Sequence, residues 1–76
     1  MGKIPMKLKI GNNINVLRAA RRMSQEQLAN EIEVTRATIG AIEKGNYNPS
    51  LELAFRIARF FEKDINEIFE VEGTNE

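Results

Sequence analysis

Residues Ser24 to Gly45 read SQEQLANEIEVTRATIGAIEKG, and this stretch carries two helix starts and one helix stop. Ser24 and Gln27 have the spacing of a capping box, in which each side chain satisfies the other's free backbone N–H. The helix they open has Leu28, Ala29 and Ile32 on its apolar face. Thr35 is a second N-cap residue, and the helix that follows runs to about Lys44, with Ile39 and Ile42 pointing inward beside Val34. Gly45 ends it, as glycine does where the chain must turn left-handed. Between the two helices lies only the short break at Glu33-Val34. So short a turn forces a steep crossing with nearly touching backbones, which calls for a small residue at Ala29.

Counted from Gln25, Ala29 is fifth, Val34 tenth, Ile39 fifteenth and Ile42 eighteenth. A small residue, a short break and three apolar wedge residues at those positions make the helix-turn-helix arrangement, whose second helix enters the DNA major groove while the first crosses the backbone.

Three more helices are predicted around this pair. Ile10, Ile14 and Leu17 form one apolar stripe and predict a helix over about 10–22. Asn46-Tyr47-Asn48-Pro49 is a loop of turn formers. Ser50 then caps a helix from about Leu51 to Phe61, lined inside by Leu53, Ile57 and Phe60. Asp64 and Glu67 predict a short fifth helix through Phe69, burying Ile65, Ile68 and Phe69. Phe55, Phe60, Phe61 and Phe69 are expected in the core or a dimer contact rather than as stacking platforms for bases.

The two ends read differently. Met6-Lys7-Leu8-Lys9-Ile10 alternates apolar and basic, and Phe69-Glu70-Val71-Glu72 alternates apolar and acidic. Both have strand period, and their opposite charges favour pairing. Residues 1–9 are therefore expected to form an N-terminal arm or short strand, 10–69 the helix-turn-helix domain, and 70–76 an acidic tail or short strand, with disorder expected from Gly73. The fold expected is all-α, of five helices, with room for a short terminal β-ribbon.

Composition narrows the chemistry. The 76 residues contain no cysteine and no histidine, which removes disulfides, thiolate or zinc sites and His-based catalysis. No metal and no cofactor is expected. No nucleophile–base pair or Gly-rich phosphate loop stands in the sequence, so an enzyme is not expected. No apolar run approaches the roughly 20 residues of a membrane span, and the lysines near the start interrupt any signal-peptide core, so the expected place is the cytoplasm. Eleven basic residues balance eleven acidic ones, but unevenly. The first 24 residues hold six Lys or Arg and no acid, whereas Glu62, Asp64, Glu67, Glu70, Glu72 and Glu76 crowd the tail. One face can still attract phosphate.

The run Met23-Ser24-Gln25-Glu26-Gln27-Leu28-Ala29, then Val34-Thr35-Arg36-Ala37-Thr38-Ile39, Ala41-Ile42-Glu43-Lys44-Gly45 and Asn48-Pro49-Ser50-Leu51-Glu52-Leu53-Ala54, resembles the Xre family, the Cro and phage-repressor type of helix-turn-helix domain. The likeness covers roughly residues 8 to 70. It implies a phage-repressor-like fold and a homodimeric transcriptional regulator, most often a repressor, on double-stranded operator DNA. By the same resemblance Gln25, Lys44, Asn46 and Tyr47 contact the DNA backbone, and Thr35, Arg36 and Thr38 lie at the entry to the recognition helix. Ala37 is placed to touch a thymine methyl. Arg18 and Glu43 resemble an internal ion pair of the family.

Three positions depart from the family pattern. Glu33 stands where a turn glycine is usual, and Arg22 where glycine is common after the first helix. The outward side of the recognition helix carries Ala37, Gly40, Ala41 and Lys44, small where relatives often have Gln or Ser. Direct reading then falls on Arg36 and Thr38, with DNA shape supplying more of the specificity. Gly40 in mid-helix suggests the close approach of something.

A domain this small covers one half-site, and two-fold dimers set recognition helices about 34 Å apart. Ile65, Ile68, Phe69 and Val71 are the expected dimer contacts. The competing reading is an antitoxin or partner-controlled regulator, acting through protein–protein interaction and an acidic tail.

Overall fold

The computed structural model describes residues 8–72. A strand β1 (Lys9–Asn12) leads into α1 (Ile14–Ala20), α2 (Gln25–Glu31), α3 (Arg36–Lys44) and α4 (Leu51–Phe61); a single 3-10 turn (Ile65–Glu67) and a strand β2 (Phe69–Glu72) follow. The two strands form an antiparallel ribbon with Lys9 opposite Glu72, Ile10 opposite Val71, Gly11 opposite Glu70 and Asn12 opposite Phe69.

The helix starts follow local chemistry. Ser24 Oγ accepts the Gln27 N–H at 3.0 Å while Gln27 Oε1 accepts the Ser24 N–H at 2.8 Å, completing the capping box. Thr35 Oγ1 accepts the Thr38 N–H, and Ser50 Oγ the Leu53 N–H, both at 3.1 Å. Gly45, at φ 81, ends α3 in the left-handed region. Among the described residues, three with side chains share that region: Arg22 (φ 55), Glu33 (φ 62) and Glu62 (φ 57).

Two expectations are corrected. The first helix begins at Ile14, not Ile10. Residues 9–12 are held in the ribbon, and Asn12 Oδ1 accepts the Ile14 N–H at 3.1 Å, which starts the helix there. The strand lies later than the alternating run suggested, and Met6 and Lys7 fall outside the described residues, as does the tail from Gly73. The fifth helix is one 3-10 turn. The Glu67 and Ile68 N–H groups bond three residues back, and the Ile68 carbonyl turns away to accept the Asn13 N–H at 3.1 Å. Phe69 onward is then committed to the ribbon. The described chain is thus four α-helices and a two-stranded sheet.

The core forms where the helices meet. Ile14, Leu28, Ile39, Ile42 and Ile57 are sealed from solvent, joined by Ala29, Ile32, Leu53, Ala58, Phe61 and Ile68. Each such large aliphatic contributes about 1.5–3 kcal/mol on burial. Leu17, Val34 and Phe60 pack against the core from partly exposed positions. Arg21 lies over the edge-to-face pair Phe60 and Phe61, 5.0 and 5.1 Å from the ring centres, and donates to the Phe60 carbonyl at 3.3 Å. That closes α1 onto the end of α4.

Candidate nucleic-acid interface

The break between α2 and α3 is built as tightly as its length requires. Ala29 is buried, its carbonyl accepts the Val34 N–H at 2.9 Å, and Glu33 takes the left-handed step. On its far side, Arg56 donates to the Ile32 carbonyl at the end of α2. Arg56 therefore helps to fix the turn.

α3 buries Ile39 and Ile42 and turns its other side outward. Thr35, Arg36, Ala37 and Lys44 are exposed, and so are Asn46 and Tyr47 just beyond it; Thr38 is half-buried. Tyr47 keeps 46% of its surface, so it does not plug the core. Gly40 and Ala41, expected on the outward side, are half-buried. A Cβ on Gly40 would meet only the Gln25 amide, at an ordinary 3.8 Å. No contact among the described residues therefore demands glycine there.

A chain of side-chain bonds crosses this surface. Arg18 Nε donates to Glu43 Oε2 at 2.7 Å and Arg18 Nη2 to Glu43 Oε1 at 3.2 Å, while Arg18 Nη1 donates to the Met23 carbonyl at 2.8 Å. The side chains of this pair keep only 17% and 10% of their surface. The hydrogen bond to Glu43, helped by its charge, holds the Arg18 guanidinium above the ordinary arginine pKa, against the opposing effect of burial. Gln25 Nε2 donates to Glu43 Oε1 at 3.0 Å, and Gln25 Oε1 accepts from Arg36 Nη1 at 2.9 Å. Arg18, Glu43, Gln25 and Arg36 are thereby linked from α1 through α3 and α2 back to the first residue of α3. Thr35 and Thr38 hydroxyls lie 2.9 Å apart and share one hydrogen bond, leaving oxygen lone pairs at the exposed helix entry.

The helix-turn-helix sequence pattern matches residues 14–68, from the first turn of α1 to the end of the 3-10 turn. The chain belongs to the Xre/Cro-type helix-turn-helix family of transcriptional regulators. An uncharacterized HTH-type transcriptional regulator of Methanocaldococcus jannaschii is 52% identical over 58 residues, covering 76% of this chain and 88% of the relative. The cryptic phage CTXphi transcriptional repressor RstR of Vibrio cholerae is 38% identical over 64 residues, 84% of this chain and 58% of RstR. Among solved structures, the restriction-modification controller protein C.AhdI of Aeromonas hydrophila superposes with a TM-score of 0.64 at 31% identity, covering 71% of this chain and 78% of that one.

The residues expected in a dimer contact of this Xre-type chain divide. Ile68 is 2% exposed and belongs to the core of its own chain, and its carbonyl accepts the Asn13 N–H. It is not available to a second copy. Ile65 and Phe69 are half-buried and Val71 is exposed. With Ile10, Pro49, Leu51 and Ala54, the first two line an open apolar groove of about 330 Å³ between the ribbon and the start of α4. Sequence reasoning missed Ile10 and Leu51 here, having assigned Ile10 to the inner stripe of a helix. Among the described residues, no helix is long and apolar enough to cross a membrane, and no cluster of acidic residues could hold a metal ion.

Proposed function

We propose that this chain binds double-stranded DNA in a sequence-specific manner, with α3 in the major groove, and acts as a dimeric repressor. The observation that carries the reading is the exposed side of α3, whose first residue, Arg36, is held by Gln25 from the first turn of α2. A side chain fixed at the entry of a protruding helix is prepared for a bidentate contact to guanine, worth about 1–3 kcal/mol of discrimination. Thr35, Thr38 and Ala37 complete the base-facing set. Gln25, Lys44, Asn46 and Tyr47 flank it as backbone contacts, which fix register without reading sequence.

The dimer uses the groove beside the ribbon, with Ile65, Phe69 and Val71 joined by Ile10 and Leu51. Leu51 leaves 72% of its surface exposed and Val71 49%, the kind of apolar patch that marks a protein contact. The repressor RstR and the controller protein C.AhdI support a regulatory role by kinship. The deciding experiment is selection of bound duplexes from a random pool at two salt concentrations. A two-fold consensus with half-sites about one helical turn apart is expected, and a pool that stays random overturns the reading.

A further inference from the structure

Ile39 and Ile42 seat α3 on the core, and the Arg18–Glu43 pair adds a polar hold near its last turn. A second hold lies one residue away. The Asn12 side-chain amide donates to the Ile42 carbonyl at 2.9 Å, while its Oδ1 accepts the Ile14 N–H at 3.1 Å. Asn12 ends β1, opposite Phe69, and is half-buried. The Ile42 carbonyl does not depend on this donor, since it also accepts the Gly45 N–H at 3.0 Å. What the Asn12 bond adds is a fixed distance between the ribbon and the last turn of α3. Asn12 just before α1 and Arg18 near its end thus grip adjacent residues of α3, Ile42 and Glu43.

We infer that Asn12 is a positioning residue for DNA recognition. By tying the ribbon to the C-terminal turn of α3, it helps to set the rotation of a helix already seated by Ile39, Ile42 and the Arg18–Glu43 pair. That rotation decides where Arg36 at one end and Lys44 at the other meet the duplex. The pairing of the two chain ends is then felt at the recognition helix, because the ribbon residue opposite Asn12 is Phe69 and the next bond inward joins Asn13 to Ile68. The inference rests on the DNA-binding reading given above.

Asn12→Ser and Asn12→Asp test it. Each keeps an oxygen to start α1, and neither can donate to the Ile42 carbonyl: serine is too short and the carboxylate has no proton. In both full-length variants the Gly45 and Asn46 amides should exchange with solvent about tenfold faster, with the Leu17 and Arg18 amides unchanged. Affinity for the selected duplex should fall about tenfold, as expected when a recognition element loses part of its support. The slope of affinity against salt should stay the same, since no phosphate contact is removed. Variants that bind as tightly as the wild type overturn the proposal. So does weaker binding with unchanged exchange at Gly45 and Asn46, which would mean that Asn12 acts by some other route. A wild-type chain that selects no duplex overturns instead the reading on which the proposal rests.

Discussion

Gln25 Oε1 accepts a hydrogen bond from Arg36 Nη1 at 2.9 Å, so the first residue of α2 holds the first residue of α3. The other end of the same amide is bonded to Glu43, itself fixed by Arg18. Arg36 is exposed, yet its guanidinium is tethered before any ligand arrives. Part of the entropy that a free arginine would lose on binding is therefore lost on folding.

Arg36→Ala should leave thermal stability almost unchanged, because an exposed side-chain bond is worth little. Affinity for the preferred duplex should fall by about 1–3 kcal/mol, with sequence preference relaxed at the contacted position. Gln25→Ala should weaken binding too, with less of that relaxation, because it removes a backbone contact and unties the reader without deleting it. Fluorescence anisotropy on a panel of duplexes with single base-pair changes separates the two. Equal loss on every duplex for Arg36→Ala would rule out base reading by that residue.

The Arg18–Glu43 pair is a stability element. Glu43→Ala strands a guanidinium that keeps 17% of its surface and unties Gln25. A cost of about 3 kcal/mol is expected, the low end for breaking a buried pair, and it should lower the melting temperature by at least about 12 °C in a chain of this size. Arg18→Met should cost a similar amount, because it strands the Glu43 carboxylate, which keeps 10% of its surface and retains only the Gln25 amide as a partner. Thermal melts of both variants, and of the double variant for coupling, check this.

How far the sequence foretold this architecture depends on the range of the interaction. Ser24, Thr35 and Ser50 each cap the helix that follows through a bond three residues ahead, and such local chemistry can be read from the chain alone. Ile10 could not be placed that way. It is in phase with Ile14 and Leu17 as a helix residue and also alternates as a strand residue; what decides is β2, at the far end of the chain. Asn12-Asn13 was the overlooked local signal, a pair of turn formers where α1 starts. Ile68 failed for a different reason. Its spacing from Ile65 and Phe69 marks an apolar cluster but does not say which member faces inward; that is decided by how the 3-10 turn packs against the core. The Arg18–Glu43 pair spans 25 residues, and only the family resemblance suggested it.

Stability should be nearly independent of pH between about 6 and 8. The sequence has no histidine and no cysteine, and histidine is the side chain whose ordinary pKa lies in that window. Arg18 does not supply one. Its pKa is raised in the folded state, so its contribution is complete below the ordinary arginine value and is lost only as pH rises through the still higher folded value. Melting curves across this range should superimpose, and a midpoint that moves by more than about 3 °C would reveal a titrating group in the structure.

The apolar groove beside the ribbon predicts a separation of assembly from folding. Leu51 and Val71 are exposed in the single chain, so Leu51→Lys and Val71→Lys should leave the melting of the isolated chain close to that of the wild type. Each should shift the sedimentation expected of the proposed dimer toward the monomer and lower the affinity for two-fold sites to the weak level of a single half-site. Variants that sediment like the wild type would move the contact elsewhere.

Glu33 and Arg22 occupy left-handed backbone at φ 62 and φ 55, and both side chains are exposed. A residue with a Cβ is strained there by about 1–2 kcal/mol relative to glycine. Glycine also loses more chain entropy on folding, which takes back about 0.5–1 kcal/mol. The difference favours Glu33→Gly and Arg22→Gly by up to about 1.5 kcal/mol each, and because they lie at opposite ends of α2 with no shared partner, the gains should add. Glu33→Ala supplies the contrast: it keeps the Cβ, hence the strain, and should not stabilise. Urea titrations of the three single variants and the double glycine variant measure this, and a Glu33→Gly chain no more stable than Glu33→Ala would show that the turn between α2 and α3 relaxes its strain in solution.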